Sequence, residues 1–227
     1  VAHRVAGEPM VRWVVEAVKA AGASPIVVVI GHGADEVRSI FAGEPDVRFA
    51  VQQEQHGTGH ATLCARAALG EFEGDVLVLA GDGPLIRTET IRVMHRRHVE
   101  RGAAATLATS IIDDPTGYGR VVRDHAGRFE QIVEHRNADD AQRSIREIYP
   151  SYACFDAARL FAALERLEPD GVSGEYYVTD VHAMLRAEGC MVELVDAVHP
   201  EDVLSINTPE QLADVAAIMK SRLEACQ

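Results

Sequence analysis

The residues best placed to do chemistry lie in the stretch 51–62, whose sequence is VQQEQHGTGHAT. Two amide side chains, Gln52 and Gln55, precede the glycine turn Gly57-Thr58-Gly59. An apolar run before the stretch and an apolar-periodic segment after it predict a strand, a turn and a helix start, a layout in which backbone N–H groups face an anion or a base edge. An amide both donates and accepts, so the stretch predicts recognition of a nucleobase such as uracil. An ordinary capped turn is the alternative, because short glycine motifs often match by chance.

An acidic residue, Asp82, comes just after the apolar run Val76–Leu79. In open α/β sheets, ligands bind beyond the carboxyl ends of the strands. Gly81 and Gly83 flank the carboxylate and would let a ligand approach it closely. Asp82 is therefore a candidate site residue, and the alternative is a turn aspartate before Pro84.

The elements that must position these residues alternate along the first half of the chain. Continuous apolar runs at Ile26–Ile30 and Val76–Leu79 are typical of strands buried on both faces. Apolar residues at helical spacing predict helices over Met10–Ala21, Ala34–Phe41 and Thr88–Arg101. The alternation predicts an α/β, Rossmann-like fold with a mixed, mainly parallel sheet and helices on both faces.

The pattern changes in the second half of the chain. Further strands are predicted over Ala103–Ser110, 121–122, Phe129–Val133, Glu147–Phe155 and Met191–Val195. Within the fourth of these, Pro150 indicates an edge or a bulge. Further helices are predicted over Ala157–Leu167 and Thr179–Glu188. Thr208-Pro209 with Gln211 forms a capping box that opens a last helix.

Composition narrows the classes of partner. The chain has 227 residues and a formal net charge of −13, which fits one large domain and makes a nucleic-acid polymer an unfavourable partner. No apolar run approaches the roughly 20 residues that span a bilayer, so no membrane partner is expected. An anionic small substrate would need a local cluster of cations, backbone N–H groups or a metal ion.

Cysteines and histidines give no metal motif in the sequence. Cysteines stand at Cys64, Cys154, Cys190 and Cys226, without a CxxC pair or zinc spacing. We expect them to be reduced and structural in a cytoplasmic protein. The histidine pairs His56/His60 and His95/His98 have helical spacing, but neither has a third ligand nearby in sequence. A solvated or core role is therefore predicted for both pairs.

Three later segments carry further short motifs. They are LAGDGPL at 79–85, DPTGYGR at 114–120 and GEYYVTD at 174–180. Together with QxEQxGTGHA, in this order, they closely resemble the uridylyltransferase domain of the bifunctional bacterial GlmU family, in which it is joined to an acetyltransferase domain. The resemblance covers nearly the whole chain and implies a nucleotide-diphospho-sugar transferase fold.

The resemblance also implies a reaction and its partners. UMP would pass from UTP to N-acetylglucosamine 1-phosphate, with Mg²⁺ as cofactor, giving UDP-N-acetylglucosamine and pyrophosphate. The product would feed peptidoglycan and, in some bacteria, lipopolysaccharide. Full-length members of the family are expected to be homotrimers, assembled through the acetyltransferase domain.

Individual residues receive roles from the same resemblance. Metal-binding and catalytic roles fall on Asp82 and Asn207. Nucleotide-binding roles fall on Gln52, Gln55, Gly57 and Thr58. Sugar-binding roles fall on Gly119, Glu134, Tyr149, Tyr177 and Thr179. Without the resemblance, Glu134 could be a solvated strand end, while Thr179 and Asn207 could serve helix capping.

The chain departs from the family pattern in several places. The glycine-rich signature LAAGxGTRM and its following lysine are absent, and Val1 aligns just after that lysine. Tyr149 stands where the family usually has an asparagine, and Ala80 where several members have tyrosine. The resemblance implies that 1–227 is a single nucleotidyltransferase domain truncated at the N-terminus, with 208–227 starting the helix that leads to the absent β-helix acetyltransferase domain.

The missing signature predicts that this chain, as written, does not catalyse the reaction. It also predicts exposed apolar edges at Ile26–Ile30 and Val76–Leu79. Two alternatives stay open. One is a related sugar-1-phosphate nucleotidyltransferase of other specificity, which the Tyr149 departure favours. The other is a non-catalytic nucleotide-sugar-binding module, which the missing phosphate loop favours.

Overall fold

The structure, a computed structural model, describes residues 2–204, 206 and 208–225. Its strands are β1 Arg4–Val5, β2 Glu8–Pro9, β3 Ile26–Ile30, β4 Val47–Val51, β5 Asp75–Leu79, β6 Ala105–Ile111, β7 Gly119–Arg123, β8 Phe129–Val133, β9 Glu147–Tyr149, β10 Tyr152–Asp156 and β11 Val192–Asp196. Its helices are α1 Met10–Ala21, α2 Ala34–Ile40, α3 Thr58–Leu69, α4 Thr88–Arg101, α5 Asp140–Arg143, α6 Ala157–Leu164, α7 Val178–Ala187 and α8 Pro209–Ala225. A 3₁₀ turn spans Pro200–Val203. The strand and helix alternation predicted from the sequence is present.

The central sheet has seven strands in the order β5-β10-β6-β9-β7-β8, with β11 also paired to β6. Within it, β11 runs parallel to β6, and the other pairs are antiparallel. Strands β3 and β4 form a separate parallel pair. The expectation of mainly parallel pairing was therefore wrong for the described ladders. The reason is that the second half of the chain returns through the β7–β8 hairpin and through β9 and β10, and hairpin returns pair antiparallel.

The single strand predicted over 147–155 is two strands. Pro150 cannot donate a ladder hydrogen bond, and Ser151 adopts φ 65, so the ladder breaks between β9 and β10. Both strands still pair with β6, which contacts β10 through Ala105–Leu107 and β9 through Ser110–Ile111. Pro150 was predicted to mark an edge or a bulge within one strand, whereas the structure has a break between two strands.

The last helix begins as its sequence predicts. The backbone N–H of Gln211 donates to Thr208 Oγ1 at 3.2 Å, and the backbone N–H of Thr208 donates to Gln211 Oε1 at 3.1 Å. These reciprocal bonds are the predicted capping box. None of the helices in the described ranges combines the length and the apolar composition that a bilayer crossing requires.

Strands β3 and β5 each border an elongated cavity of about 1090 Å³. Among the described strands, β3 is hydrogen-bonded only to β4, and β5 only to β10. The residues of both runs that face the cavity include the half-buried Val27–Val29 and Val76–Leu79. Exposed apolar edges were predicted for these two runs; among the described strands each has one partner, and its residues are buried or half-buried rather than exposed. The expected loss of stability remains a prediction.

A histidine lies in the core, packed among aromatic rings. His182, on α7, is fully buried, and its ring stacks on Phe155 with centroids 4.8 Å apart. The ring of Tyr149 meets it edge-on at 5.6 Å. Neither ring nitrogen has a hydrogen-bond partner among the described residues. Burial lowers the pKa of His182 to about 3, because an apolar environment disfavours the imidazolium.

The substitution His182→Phe should make the protein less sensitive to acid. In the wild type, the pKa of His182 is lower in the folded than in the unfolded protein. The neutral imidazole therefore contributes to stability above about pH 6.5, and this contribution is lost as the pH falls towards 3. We expect wild type to lose about 3 kcal/mol more than the variant between pH 7 and pH 4. Urea unfolding at a series of pH values measures this, with the exposed His125→Gln as control. Parallel stability curves for wild type and His182→Phe would contradict it.

Candidate functional site

The cavity beside β3 and β5 continues past the carboxyl ends of both strands. There its walls include Gly31 and His32 after β3, and Ala80 and Gly81 after β5. Five of the residues predicted from the sequence also line it: Thr58, Glu134, Tyr149, Tyr177 and Thr179. Segments that are far apart in the sequence therefore meet at one edge of the sheet, where ligands bind in open α/β folds.

Gln52 is buried and braces the loop that contains it. Its backbone N–H donates to Ile30 O at 2.8 Å, which ties the loop to the end of β3. Its side-chain Nε2 lies 3.1 Å from Gly57 O and 3.0 Å from His60 Nδ1. Both amide protons are therefore engaged inside the loop. The carbonyl oxygen Oε1 is the group that Gln52 can still offer to a ligand.

Gln55 lies over the glycine that follows β3. A Cβ added to Gly31 would stand 3.1 Å from Gln55 Nε2 and 3.2 Å from Gln52 O. The side chain of Gln55 is exposed. Because Gly31 has no Cβ, Gln55 can lie directly against the end of β3. Gly31 therefore has a packing role next to both glutamines. The sequence showed this glycine only as part of Gly31-His32-Gly33.

Backbone hydrogen bonds join the glycine turn to the segment before α7. Gly59 N donates to Tyr176 O at 2.7 Å, and Tyr176 N donates to His56 O at 2.8 Å. The hydroxyl of Thr58 accepts a bond from Val178 N at 3.1 Å. Two of the four sequence motifs therefore form one continuous structure, and the Thr58 hydroxyl serves that junction.

The glycine turn and the segment before α7 approach each other more closely than side chains at Gly57 or Gly59 would allow. Gly57 has φ 102, and an added Cβ would lie 2.6 Å from Tyr176 O. At Gly59, an added Cβ would lie 2.4 Å from Leu167 Cδ2 and 3.0 Å from Tyr176 O. The glycines of the turn are therefore required for packing as well as for conformation.

Glu134 and Thr179 face the cavity as a hydrogen-bonded pair. Thr179 Oγ1 donates to Glu134 Oε1 at 3.1 Å. Burial raises the pKa of Glu134, and the bond from Thr179 acts in the opposite direction. A Cβ added to Gly119 would lie 2.8 Å from Ile132 Cγ2 and 3.8 Å from both Glu134 carboxylate oxygens. Gly119 thus leaves the space beside the carboxylate open.

Tyr149 sits next to this pair. It is opposite Gly119 in the β7–β9 ladder and is almost fully buried. Its hydroxyl has no hydrogen-bond partner among the described residues. Burial raises the pKa of Tyr149, and the nearby Glu134 charge adds to the effect. A buried, unpaired hydroxyl in a cavity wall can accept or donate a bond to a ligand.

Tyr177 completes this wall of the cavity. Its hydroxyl donates to Ser173 Oγ at 2.9 Å, which holds the ring within the segment that precedes α7. The guanidinium of Arg136 lies over the ring, 5.8 Å from its centroid. Arg136 therefore places a positive charge near the residues predicted to bind a sugar phosphate.

Asp82 lies in the loop beyond β5, with its carboxylate partly exposed. The loop packs on Tyr152, and a Cβ at Gly83 would stand 2.3 Å from the Tyr152 hydroxyl oxygen. Within the described ranges, no hydrogen bond or ion pair occupies the Asp82 carboxylate. A free carboxylate at this position fits a hard cation such as Mg²⁺. Asn207, the other predicted ligand, lies outside the described residues.

Two side chains, Arg120 and His32, could supply positive charge to a phosphate, and they differ in position. Arg120 is almost fully buried, and its guanidinium contacts Tyr118 O and, at 3.2 Å, His135 Nδ1. Burial lowers the pKa of Arg120. His32 is exposed and lines the cavity. Arg120 is therefore occupied within the fold, and His32 remains accessible.

A family model of MobA-like NTP transferase domains matches residues 2–175. The chain belongs to this family.

Two relatives carry the family name that the four motifs indicated. This chain is 44% identical over 223 residues to the bifunctional protein GlmU of Geobacter metallireducens, and the match covers 98% of this chain and 47% of that protein. It is 44% identical to the bifunctional protein GlmU of Brevibacillus brevis, of which it covers 48%. The resemblance to the GlmU pyrophosphorylase region is confirmed. The chain spans about half the length of these relatives.

A solved structure has the same fold. The crystal structure of apo-UDP-glucose pyrophosphorylase superimposes with a TM-score of 0.75 at 14% identity, covering 97% of this chain and 90% of that one. The predicted nucleotide-diphospho-sugar transferase fold is thereby confirmed. At this identity the likeness concerns the fold alone.

Sequence reasoning missed several residues that shape the site of this MobA-like domain. Tyr152 supports the Asp82 loop, and Tyr176 carries the backbone groups that hold the glycine turn. Both act through contacts with distant glycines. The only sequence signal was the glycines themselves, at Gly59 and Gly83, which mark close approach without naming the partner.

The substitution Gly57→Ala should destabilise the protein more than Gly70→Ala. Both glycines have positive φ with extended ψ, so alanine costs about 1–3 kcal/mol of backbone strain at either position. An added Cβ at Gly70 meets open space, whereas at Gly57 it would meet the Tyr176 backbone. We expect an additional loss of about 1–3 kcal/mol for Gly57→Ala. Urea unfolding of the two variants measures the difference, and equal losses would show that the junction tolerates the methyl group.

Proposed function

We propose that this domain transfers UMP from UTP to N-acetylglucosamine 1-phosphate, giving UDP-N-acetylglucosamine and pyrophosphate. The observation that carries the proposal is the meeting of the glycine turn, through Thr58, with Glu134, Tyr149 and the GEYYVTD segment around one cavity, whose wall also includes Gly81 next to Asp82. The relatives named GlmU support the same chemistry. An oxygen of the sugar phosphate would attack the α-phosphorus, and the bond from that phosphorus to the β-phosphate oxygen would break.

The base would be read by Gln52 and its neighbours. Since both Gln52 amide protons are engaged within the loop, its Oε1 is left to accept a bond. Uracil offers an N3–H donor, whereas cytosine has an unprotonated N3 acceptor at the same place. The exposed Gln55 side chain and the backbone of Gly57 would complete the contacts. This arrangement favours uracil because a wrong base would leave a buried polar group unpaired.

The sugar would lie against Glu134 and Tyr149. The Glu134 carboxylate can accept bonds from sugar hydroxyls, and the unpaired Tyr149 hydroxyl offers a further contact. Gly119 permits close approach of the ligand beside the carboxylate. Thr179 and Tyr177 would position this group from α7 and from the segment that precedes it.

Catalysis would consist of positioning and charge stabilisation. Asp82, together with Asn207, would hold Mg²⁺, whose charge offsets part of the charge on the phosphates. The fixed Asp82 loop on Tyr152 would hold the carboxylate in place while the two substrates align. Little covalent work falls to the protein in such a transfer, so orientation supplies much of the rate.

Among the described residues that line the cavity, His32 is the accessible cationic candidate at the end near Asp82, whereas Arg92, His95 and Arg96 line the other end. Arg120 is occupied within the fold. That this chain does not catalyse the reaction stays a prediction, since a triphosphate needs cations or N–H donors. Scarce cations at the Asp82 end of the described wall also favour the second candidate function, a nucleotide-sugar-binding module without turnover. The two are separated by measuring binding of UDP-N-acetylglucosamine and release of pyrophosphate on the same sample.

Sugar specificity is the least constrained part of the proposal. Tyr149 occupies the position expected for an asparagine, and it lines the same cavity with an unpaired hydroxyl buried behind the wall. A related enzyme acting on another sugar 1-phosphate therefore remains an alternative. A panel of UTP, dTTP and CTP against N-acetylglucosamine 1-phosphate and glucose 1-phosphate distinguishes the two.

The substitution Gln52→Ala should weaken UTP binding by about 10–100-fold, because it removes a buried acceptor for the base. Binding of N-acetylglucosamine 1-phosphate should change much less. Calorimetric titrations with UTP, CTP and the sugar phosphate measure this, with the exposed neighbour Gln53→Ala as matched control. Urea unfolding checks that the variant keeps its fold. An unchanged preference for UTP over CTP would remove Gln52 from base recognition.

The substitution Asp82→Ala should reduce pyrophosphate release by about 100–1,000-fold, because it removes a ligand that holds the cation at the phosphates. Asp82→Asn, which keeps one oxygen, should lose less. The assay uses residues 1–227, and Mg²⁺-dependent binding of UTP serves as a second readout. Asp214→Ala, an exposed aspartate on α8, serves as control. Near-normal release by Asp82→Ala at saturating Mg²⁺ would exclude the proposed role.

A further inference from the structure

A second group of possible metal ligands lies at the opposite end of β5 from Asp82. Asp75 begins β5, His98 is on α4, and Cys154 is on the neighbouring strand β10. One ligand atom from each of these residues lies within 4.8 Å of the other two. Among the described residues, this is the one group of three such side chains close enough to share an ion.

His98 is held in the orientation that a ligand needs. Its Nδ1 lies 3.0 Å from Thr106 Oγ1, and Thr106 is fully buried on β6. Its Nε2 then points to Asp75 Oδ1, at 3.3 Å. Histidines that bind metals are commonly fixed in this way by a hydrogen bond at the other ring nitrogen. The separation of Nε2 and Oδ1 is close to that of two ligands around one tetrahedral ion, given bond lengths of about 2.0–2.2 Å.

His95 contacts the carboxylate of this group but does not belong to the group. His95 is one helical turn before His98, and its Nε2 lies 2.9 Å from Asp75 Oδ2. The Asp75 carboxylate therefore contacts both imidazoles of the pair for which the sequence offered no third ligand. Asp75 and His95 also line the cavity, which gives an ion a route to the site.

We propose that Asp75, His98 and Cys154 bind a divalent ion of the zinc type, with His95 holding the second oxygen of the Asp75 carboxylate. One sulfur, one imidazole nitrogen and one carboxylate oxygen suit a borderline-soft, tetrahedral ion and do not suit Mg²⁺, which prefers oxygen. On binding, the Cys154 S–H bond breaks, a sulfur–metal bond forms, and the proton leaves to solvent. The thiolate and the carboxylate then balance the two positive charges of the ion.

The bound ion would be structural. It would connect β5, α4 and β10, three elements that surround the end of the cavity away from Asp82. Three protein ligands would leave the fourth tetrahedral position to a water molecule. The bond between Asp75 and His98 can also exist without a metal, so the experiment must separate an ion site from a hydrogen-bonded core group.

The test titrates Co²⁺ into the chelator-treated chain under reducing conditions. We expect one Co²⁺ per chain, a thiolate-to-cobalt charge-transfer band, and visible bands of tetrahedral Co²⁺. Added Zn²⁺ should remove both signals, and excess Mg²⁺ should not. Zn²⁺ should also raise the midpoint of urea unfolding, because a ligand bound only to the folded state stabilises it.

Three variants assign the site. Cys154→Ser should lose the charge-transfer band, whereas Cys64→Ser, at a free cysteine elsewhere in the fold, should keep it. His95→Ala, at an exposed position, should weaken Co²⁺ binding by about 10–100-fold while the chain stays folded. Absence of the band in wild type, its persistence in Cys154→Ser, or unchanged affinity in His95→Ala would overturn the proposal. None of these results bears on Asp82, so the proposed transferase function is tested separately.

Discussion

The site depends on the exchange of backbone hydrogen bonds between the glycine turn and the segment before α7. Gly59 N–H donates to Tyr176 O, and Tyr176 N–H donates to His56 O, so each segment satisfies backbone hydrogen-bonding groups of the other. The exchange requires contact distances that only glycine allows at Gly57 and Gly59. Backbone-to-backbone contact fixes position more tightly than paired side chains, because few rotatable bonds intervene.

That junction sets the relation between the two halves of the cavity. Gln52 is tied to the turn through Gly57 O, while Thr179 on α7 is tied to Glu134. Displacement of the turn would therefore move the proposed base and sugar contacts relative to each other. A cation held at Asp82 would offset part of the phosphate charge, which makes it central to the proposed chemistry.

A second anchor holds the C-terminal part of the fold. Asp202 is almost fully buried and bonds to Arg87 Nε at 2.6 Å and to Arg222 on α8. Removing either arginine would leave the buried Asp202 carboxylate less fully paired, and an unpaired buried charge destabilises the fold. Tyr118 OH donates to Val203 O at 2.8 Å and brings the DPTGYGR loop to the same turn. Together these contacts hold the described residues on both sides of 205–207 against the body of the domain.

The sequence by itself determined the local elements and the motifs. α1, β3 and α4 have the bounds that apolar periodicity predicted, because that periodicity is a property of neighbouring residues. Tertiary structure alone decided which strands pair, that Gln52 uses its amide nitrogen to brace its own loop, and that Asp75 and Cys154 meet His98. These outcomes depend on contacts between distant segments, whose partners are selected by the packing of the whole chain. No spacing along the sequence encodes them.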